Sequence, residues 1–459
     1  MEAAGLAIGV VGLVSLFSNC LDVLDKFEAY RDFGTDLHYV ATQFEAEKLR
    51  FEKWGHAVGV LWINGPAGFG KTILCARIVE HISADIGTPV AHFFFSSDFE
   101  SRSDPYIAIR SWISQVMSHP KAYEVVCDEC DAQDGQSATR AHLVQMFRNI
   151  VCAMPECTFV LDGLDECTWV RDDQKFDSDA VTQFLKALRQ AVADTHTRIL
   201  IVSRDEAEIR QGLISNRSDD VFEYKVSTED VHSDAVSYSR SIVNEKLFKK
   251  LETIKRDIAQ RMVNRCSGQF LWLKLQEDSL DSWMTKRQLE TAVEETPAGL
   301  EQTYERYWRR MSNFPEWKRS RAFSLLRWTA FALRPLTVCE ISEALLINDD
   351  CDDLPIEEMP DSIDEDYINR GILGLCGSLL EVRSTSSESH VGARTVHLTH
   401  FSVRQYLVSN MSAPGSSIVA NERVWSFNEA FQNSQLGRLC LRYVNFRKVW
   451  EDTLQKDEN

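Results

Sequence analysis

The eight residues GPAGFGKT, Gly65 to Thr72, constrain this chain more than any other part of it. They complete the pattern G-x-x-x-x-G-K-T, in which Gly65, Gly68 and Gly70 let the backbone bend until successive N–H groups point at phosphate oxygens. Pro66, Ala67 and Phe69 fill the remaining positions of the loop. Such a loop works only between a strand and a helix, because the helix turns its positive N-terminal end toward the same phosphates. Both neighbours are legible. VGVLWIN (58–64) is a short apolar run that ends in the loop, and ILCARIVEHI (73–82) behind it has helical spacing. Lys71 is thereby placed to reach the β- and γ-phosphates and the Thr72 hydroxyl to hold Mg²⁺. These residues imply a purine nucleoside triphosphate with magnesium, ATP/ADP or GTP/GDP, and leave the base open.

A phosphate loop also needs an acidic residue at the tip of a neighbouring strand to fix the metal. TFVLDGLDEC (158–167) supplies one. Its apolar run ends in Asp162, the expected Mg²⁺-linked carboxylate, and Asp165 and Glu166 follow as candidates to orient or deprotonate an attacking water. In RILIVSRDE (198–206), Arg204 stands where a strand tip reaches the nucleotide and can sense the γ-phosphate; its bland alternative is a surface salt bridge.

At 459 residues the chain exceeds what one hydrophobic core organises, about 250–300 residues, so several folding units are expected. Strand-like runs recur at 89–95, 157–162, 198–203 and 221–225, separated mostly by helical stretches such as IAIRSWISQVM and HLVQMFRNIV. That alternation predicts a parallel five-stranded α/β sheet covered on both faces. After about residue 230 helix-period segments follow one another, and GSLLEVR with ARTVHLTHF reads as a two-stranded hairpin between helices, the composition of a winged helix. The fold class is thus an α/β P-loop NTPase followed by helical and winged-helix domains, behind a short all-α segment. The acidic stretch 347–366 reads as an exposed loop.

With 50 basic against 69 acidic residues the net charge is −19, and no basic stripe interleaves with aromatics, so nucleic acid is not an expected partner. Twelve cysteines lie singly in apolar stretches, as reduced cytoplasmic proteins use them, and the lone CxxC at Cys127 and Cys130 lacks a second ligand pair. The N-terminal apolar run has no positive start for a signal peptide, its first basic residue being Lys26, and it breaks at Ser18 and Asn19, too short for a span. Residues 3–30 read as a helix that is apolar all round and then amphipathic, with insertion into a lipid surface as its alternative use.

GPAGFGKT, FVLDGLDEC and IVSR in this order resemble the NACHT (STAND) class of P-loop NTPases, in particular the fungal branch related to the nephrocystin-type N-terminal NTPase domain. Gly163 directly after Asp162 is the NACHT form of the metal-binding strand. CSGQFLWLKL, TPAGLEQTYERYW, LLRWTAFALRPLTVCEISEAL and VHLTHFSVRQYL also resemble the helical and winged-helix parts of fungal NACHT proteins. The resemblance implies a core at 59–228, a helical domain at 229–315, a winged-helix-like domain at 316–445 and a tail at 446–459. It also implies a nucleotide clamped between core and winged helix, with His400 touching the phosphates of bound ADP. SGQFLWL lacks the family's base-contacting proline. Residues 1–58, with Phe33, Gly34, Asp36, Trp54 and Gly55, resemble the opening of the HeLo domain of fungal cell-death proteins, shortened here, and the ligand-sensing repeats that usually follow in the family are not seen.

The implied function is a signalling switch of fungal non-self recognition (heterokaryon incompatibility) or programmed cell death. In it slow hydrolysis resets the state, and activation brings copies together as a homo-oligomer, cytoplasmic or at a membrane through residues 1–30. Two other readings stay open on the residues: a plain monomeric NTPase or kinase, and a non-catalytic, membrane-associated interaction protein with a vestigial nucleotide site.

Overall fold

The computed structural model describes residues 59–85, 89–95, 104–131, 139–154, 156–167, 180–214, 221–348, 351–383, 390–411 and 422–450. The HeLo-like segment and the lipid-binding alternative for residues 1–30 lie outside the described residues. The chain divides into two compact units, the first ending at Leu273 and the second beginning at Lys274.

The first unit is built on a five-stranded parallel sheet. Its strands are β1 (Gly59–Asn64), β2 (Val90–Phe94), β3 (Thr158–Asp162), β4 (Arg198–Ser203) and β5 (Val221–Lys225), in the spatial order β2-β3-β4-β1-β5. The connecting helices are α1 (Lys71–Asp85), α2 (Ile107–Val116), α3 (Pro120–Asp131), α4 (Arg140–Ala153), α5 (Ala180–Val192) and α6 (Ala207–Ile214). Two more, α7 (His232–Lys246) and α8 (Glu252–Cys266), close the unit.

The three inner strands are buried almost throughout, because helices cover both faces, and this is why they read in the sequence as unbroken apolar runs. Alternate residues go to opposite cores. Trp62, Phe159, Leu161 and Ile201 pack with Trp112, Phe147 and Phe184 on one side. Leu61, Ile63, Val160, Leu200 and Val202 pack with Phe69, Leu74 and Cys75 on the other. Full burial of one such side chain stabilises by about 1.5–3 kcal/mol, so the inner strands anchor the unit.

Register matters more for function than the core does. Asn64 pairs with Ser203 and Asp162 with Val202, so β1, β3 and β4 end level at one carboxyl edge. The chain inserts β4 between the phosphate-loop strand and the Asp162 strand, which brings everything that follows these three strands to one place.

Helix α9 (Phe270–Gln276) leads into the second unit, which contains α10 (Lys286–Glu295), α11 (Leu300–Ser312), α12 (Glu316–Phe331), α13 (Val338–Ala344), α14 (Phe401–Asn410) and α15 (Glu422–Asn445). Its small antiparallel sheet has the order β6-β8-β7, from β6 (Leu336–Thr337), β7 (Leu380–Arg383) and β8 (Thr395–Leu398). The expected hairpin is β7 and β8. The third strand, β6, is two residues long and too short to show a period in the sequence. Helix α13 starts with a reciprocal cap between Thr337 and Glu340.

The acidic stretch expected as an exposed loop is exposed over most of its described length but pinned at its start. Leu354 is buried, Arg442 donates to the Cys351 carbonyl, the backbone N–H of Lys448 donates to Asp353 at 3.2 Å, and Lys448 Nζ donates to the Leu354 carbonyl at 3.2 Å. Cations from the C-terminal segment hold it, a pairing no local pattern announces.

Candidate nucleotide site at the carboxyl edge of the sheet

The phosphate loop runs from Asn64 into α1. Gly68 and Gly70 both take positive φ, 76° and 75°, the left-handed conformation that glycine adopts without strain and that a phosphate-cradling loop needs. Lys71 Nζ donates to the Pro66 carbonyl at 2.8 Å, so the lysine closes over its own loop. Burial, with a smaller push from the charge of Arg204, lowers its pKa to about 8 against the opposing charges of Asp165, Asp162 and Glu166. An ammonium held this reluctantly gains most from a phosphate oxygen beside it.

Asp162, the last residue of β3, is almost fully buried. Burial pushes its carboxyl up to about 7, against a hydrogen bond from the Thr72 side chain and the charge of Lys71, with Asp165 adding to the rise. The Thr72 hydroxyl and the Asp162 carboxylate are thus already in contact. Two hard oxygen donors, one on the loop helix and one on the strand across β4, suit Mg²⁺. Gly163 continues this strand at φ 75°, where a Cβ would lie 3.1 Å from the Phe95 carbonyl; only glycine lets the chain turn here.

Asp165 and Arg204 are brought together, and they engage each other. The Arg204 backbone N–H donates to one Asp165 oxygen at 3.0 Å, and Arg204 Nε lies 2.9 Å from the other. Their side chains are only 7% and 16% exposed, so this is not a surface salt bridge. The aspartate fixes the arginine at the tip of β4. Upstream the strand tip is tied to the sheet, Trp62 Nε1 donating to Ser203 Oγ at 2.8 Å and Ser203 Oγ to the Arg204 carbonyl at 2.9 Å. Glu166 ends the single 3₁₀ turn Leu164–Glu166 beside them.

Two features at this edge escaped the sequence. Asn64 donates to Glu223 at 2.7 Å, Glu223 pairs with Arg210 at 2.6 Å, and Arg210 stacks over the Trp62 ring at 4.8 Å, a lattice that braces the strand before the loop. Its members are 159 and 13 residues apart, so no spacing could reveal it. The second is the seat of Phe69. It is buried against Val231, and the Phe270 backbone N–H donates to the Gly68 carbonyl at 2.8 Å. The segment Ser267–Phe270 therefore docks on the phosphate loop although it lacks the family proline.

His400 lies in the second unit. It is the N-cap of α14, where its Nδ1 accepts from the Ser402 N–H at 3.1 Å, and Ser402 Oγ sits 2.7 Å from both Nδ1 and Tyr304 Oη. Accepting on Nδ1 leaves the ring proton on Nε2.

Residues 44–204 match the family described as nephrocystin 3, N-terminal, and residues 310–418 match the winged helix domain of GPI inositol-deacylase. Vegetative incompatibility protein HET-E-1 of Podospora anserina is 23% identical over 392 residues, 82% of this chain. The chain spans 26% of that relative's length. Among solved structures, the ORC2 protein of Aeropyrum pernix aligns with a TM-score of 0.34 at 12% identity, covering 86% of this chain and 94% of that one. Cdc6p of Pyrobaculum aerophilum aligns at 0.33 and 11%, covering 85% and 94%. The family matches, the sheet and the motif geometry together support a P-loop NTPase of NACHT type with a winged-helix segment. Among the described residues no helix is long and apolar enough to cross a membrane.

Proposed function

We propose that this chain is a nucleotide-operated signalling switch whose site is the carboxyl edge of β1, β4 and β3. One observation carries this reading: Lys71, the Thr72–Asp162 pair and the Asp165–Arg204 pair stand together at three adjacent strand ends. In this proposal Gly65 to Thr72 cradle the phosphates of ATP/ADP or GTP/GDP, and Thr72 and Asp162 are the protein's ligands to Mg²⁺. Bound there, the cation would neutralise phosphate charge. Arg204, held by Asp165, faces the γ-phosphate and senses its loss. Glu166 orients the attacking water, because both Asp165 oxygens already serve the arginine. His400, the N-cap of α14, is the residue of the winged helix that this reading assigns to bound ADP, as the family resemblance implies.

Hydrolysis on this reading is slow and resets the state, and the triphosphate form assembles as a homo-oligomer. The name of the relative, a vegetative incompatibility protein, supports a role in fungal non-self recognition and cell death, and the cysteine usage supports the cytoplasm. Phe69, seated on residues 231–270, gives the loop a mechanical route to the helices.

Native mass measurement of the purified chain tests the reading, first with its co-purifying nucleotide and then after exchange to a non-hydrolysable triphosphate. Bound diphosphate on a monomer and higher-order species after exchange are expected. A nucleotide-free monomer in both states would sink the proposal, and robust turnover by a monomer would replace it with the plain NTPase.

A further inference from the structure

The turn between α7 and α8 breaks three local rules of folding. Its residues Phe248 and Leu251 are 64% and 71% exposed, although α7 and α8 pack closely and Leu247 between them is fully buried. Leu251 occupies the N-cap of α8 with no side-chain hydrogen bond to the helix, where Ser, Thr, Asp or Asn would stabilise it. Lys249 and Lys250 stand directly before that N-terminus, where the helix dipole favours anions rather than cations. Departures of this kind, made without a folding benefit, mark positions held for another purpose.

The charge here is opposite to that of the molecule. Residues 246–256, KLFKKLETIKR, contain four lysines, one arginine and one glutamate, net +4 in a chain of −19. Lys249 Nζ lies 5.3 Å from the Phe248 ring centroid, and Lys255 pairs with Glu252 at 2.8 Å. The tip thus presents two apolar side chains three residues apart inside a collar of cations.

We propose that this hairpin tip docks the protein on an anionic phospholipid surface, Phe248 and Leu251 entering the acyl boundary while Lys246, Lys249 and Lys250 meet the headgroups. A bilayer fits better than a protein partner. A stable protein interface needs about 800 Å² on each side with shape complementarity, whereas the interface of a bilayer accepts a small convex tip and supplies negative charge over its whole area. The contact is weak and reversible alone and becomes firm when several copies present their tips together.

The test uses the full chain with vesicles of phosphatidylcholine and vesicles containing about 30% phosphatidylserine, read by co-sedimentation. Binding is expected only to the anionic vesicles and should fall steeply at about 0.5 M salt. Phe248→Ser/Leu251→Ser and Lys249→Glu/Lys250→Glu should each lower partitioning about tenfold or more, with fluorescent-nucleotide binding unchanged as the check on folding. Equal binding to both vesicle types overturns the proposal. So does wild-type-like binding by both variants, which would place the contact elsewhere, residues 1–30 included. Self-association that both variants abolish, with no protein sedimenting on vesicles, would assign the tip to a second copy of the chain and likewise overturn it.

Discussion

Gly268→Ala probes whether the helices are coupled to the phosphate loop. Gly268 has φ +80°, and a Cβ there would sit 3.0 Å from Phe69 Cζ, 3.0 Å from Val231 Cγ2 and 3.1 Å from Phe69 Cε1. Two costs follow. A left-handed alanine costs about 1–2 kcal/mol whatever surrounds it. Forcing a methyl into a packed seat adds about 1–3 kcal/mol. The sum, about 2–5 kcal/mol, should appear in urea unfolding of the first unit. Because Phe69 lies between Gly68 and Gly70, its displacement should also move the phosphate-facing amides, weakening fluorescent-nucleotide binding about tenfold, or 1.4 kcal/mol, although Gly268 touches no phosphate.

Phe69→Leu separates the two costs, since it removes the ring atoms the new methyl meets and leaves the backbone cost in place. The double variant should be more stable than the sum of the singles implies by about 1 kcal/mol, above the roughly 0.3–0.5 kcal/mol seen for independent sites. Strict additivity, with nucleotide affinity untouched by Gly268→Ala, would refute the coupling.

Three further outcomes are expected. Lys71→Ala should weaken nucleotide binding at least about tenfold, because a charge-assisted bond to phosphate contributes about 1.5–3 kcal/mol; titration with fluorescent ATP and GTP analogues measures it. Asp165→Asn strands the buried Arg204 charge and should lower unfolding stability by about 3–5 kcal/mol, while Asp165→Asn with Arg204→Met should recover part of the loss in the same denaturation assay. Asp234, buried in the first turn of α7, has one carboxylate oxygen with no hydrogen-bond partner, and burial pushes its carboxyl up to about 6 from 3.8. A raised acid favours the folded state fully below about pH 4 and loses that contribution as pH rises through 6. Asp234→Asn should therefore raise the melting temperature at pH 8, by up to about 3 kcal/mol in stability, and leave it nearly unchanged at pH 4; an equal shift at both pH values would contradict the assignment.

The sequence by itself determined the parts of this protein in which function or burial acts locally. GPAGFGKT reads as a phosphate loop because its geometry needs those residues in that order. The three inner strands read correctly because burial on both faces leaves them no polar positions, and Asp162 stands out as the charge that ends such a run. In the second unit α11, α12 and α13 were legible from their period, whereas α10 and α15 were not. Tertiary structure alone decided what those parts do to one another. Placing β4 between β1 and β3 makes neighbours of residues from three separate segments, and it turned two candidate catalytic residues, Asp165 and Arg204, into a mutually held pair. The seat of Phe69 on Gly268, the Asn64–Glu223–Arg210 lattice, and the buried Arg404, which pairs with Glu429 and donates to the Ala330 carbonyl at 3.0 Å, join positions far apart in the chain. Spacing encodes only contacts within a turn or a strand, so pairings closed by the sheet and the core could not be read before the chain was folded.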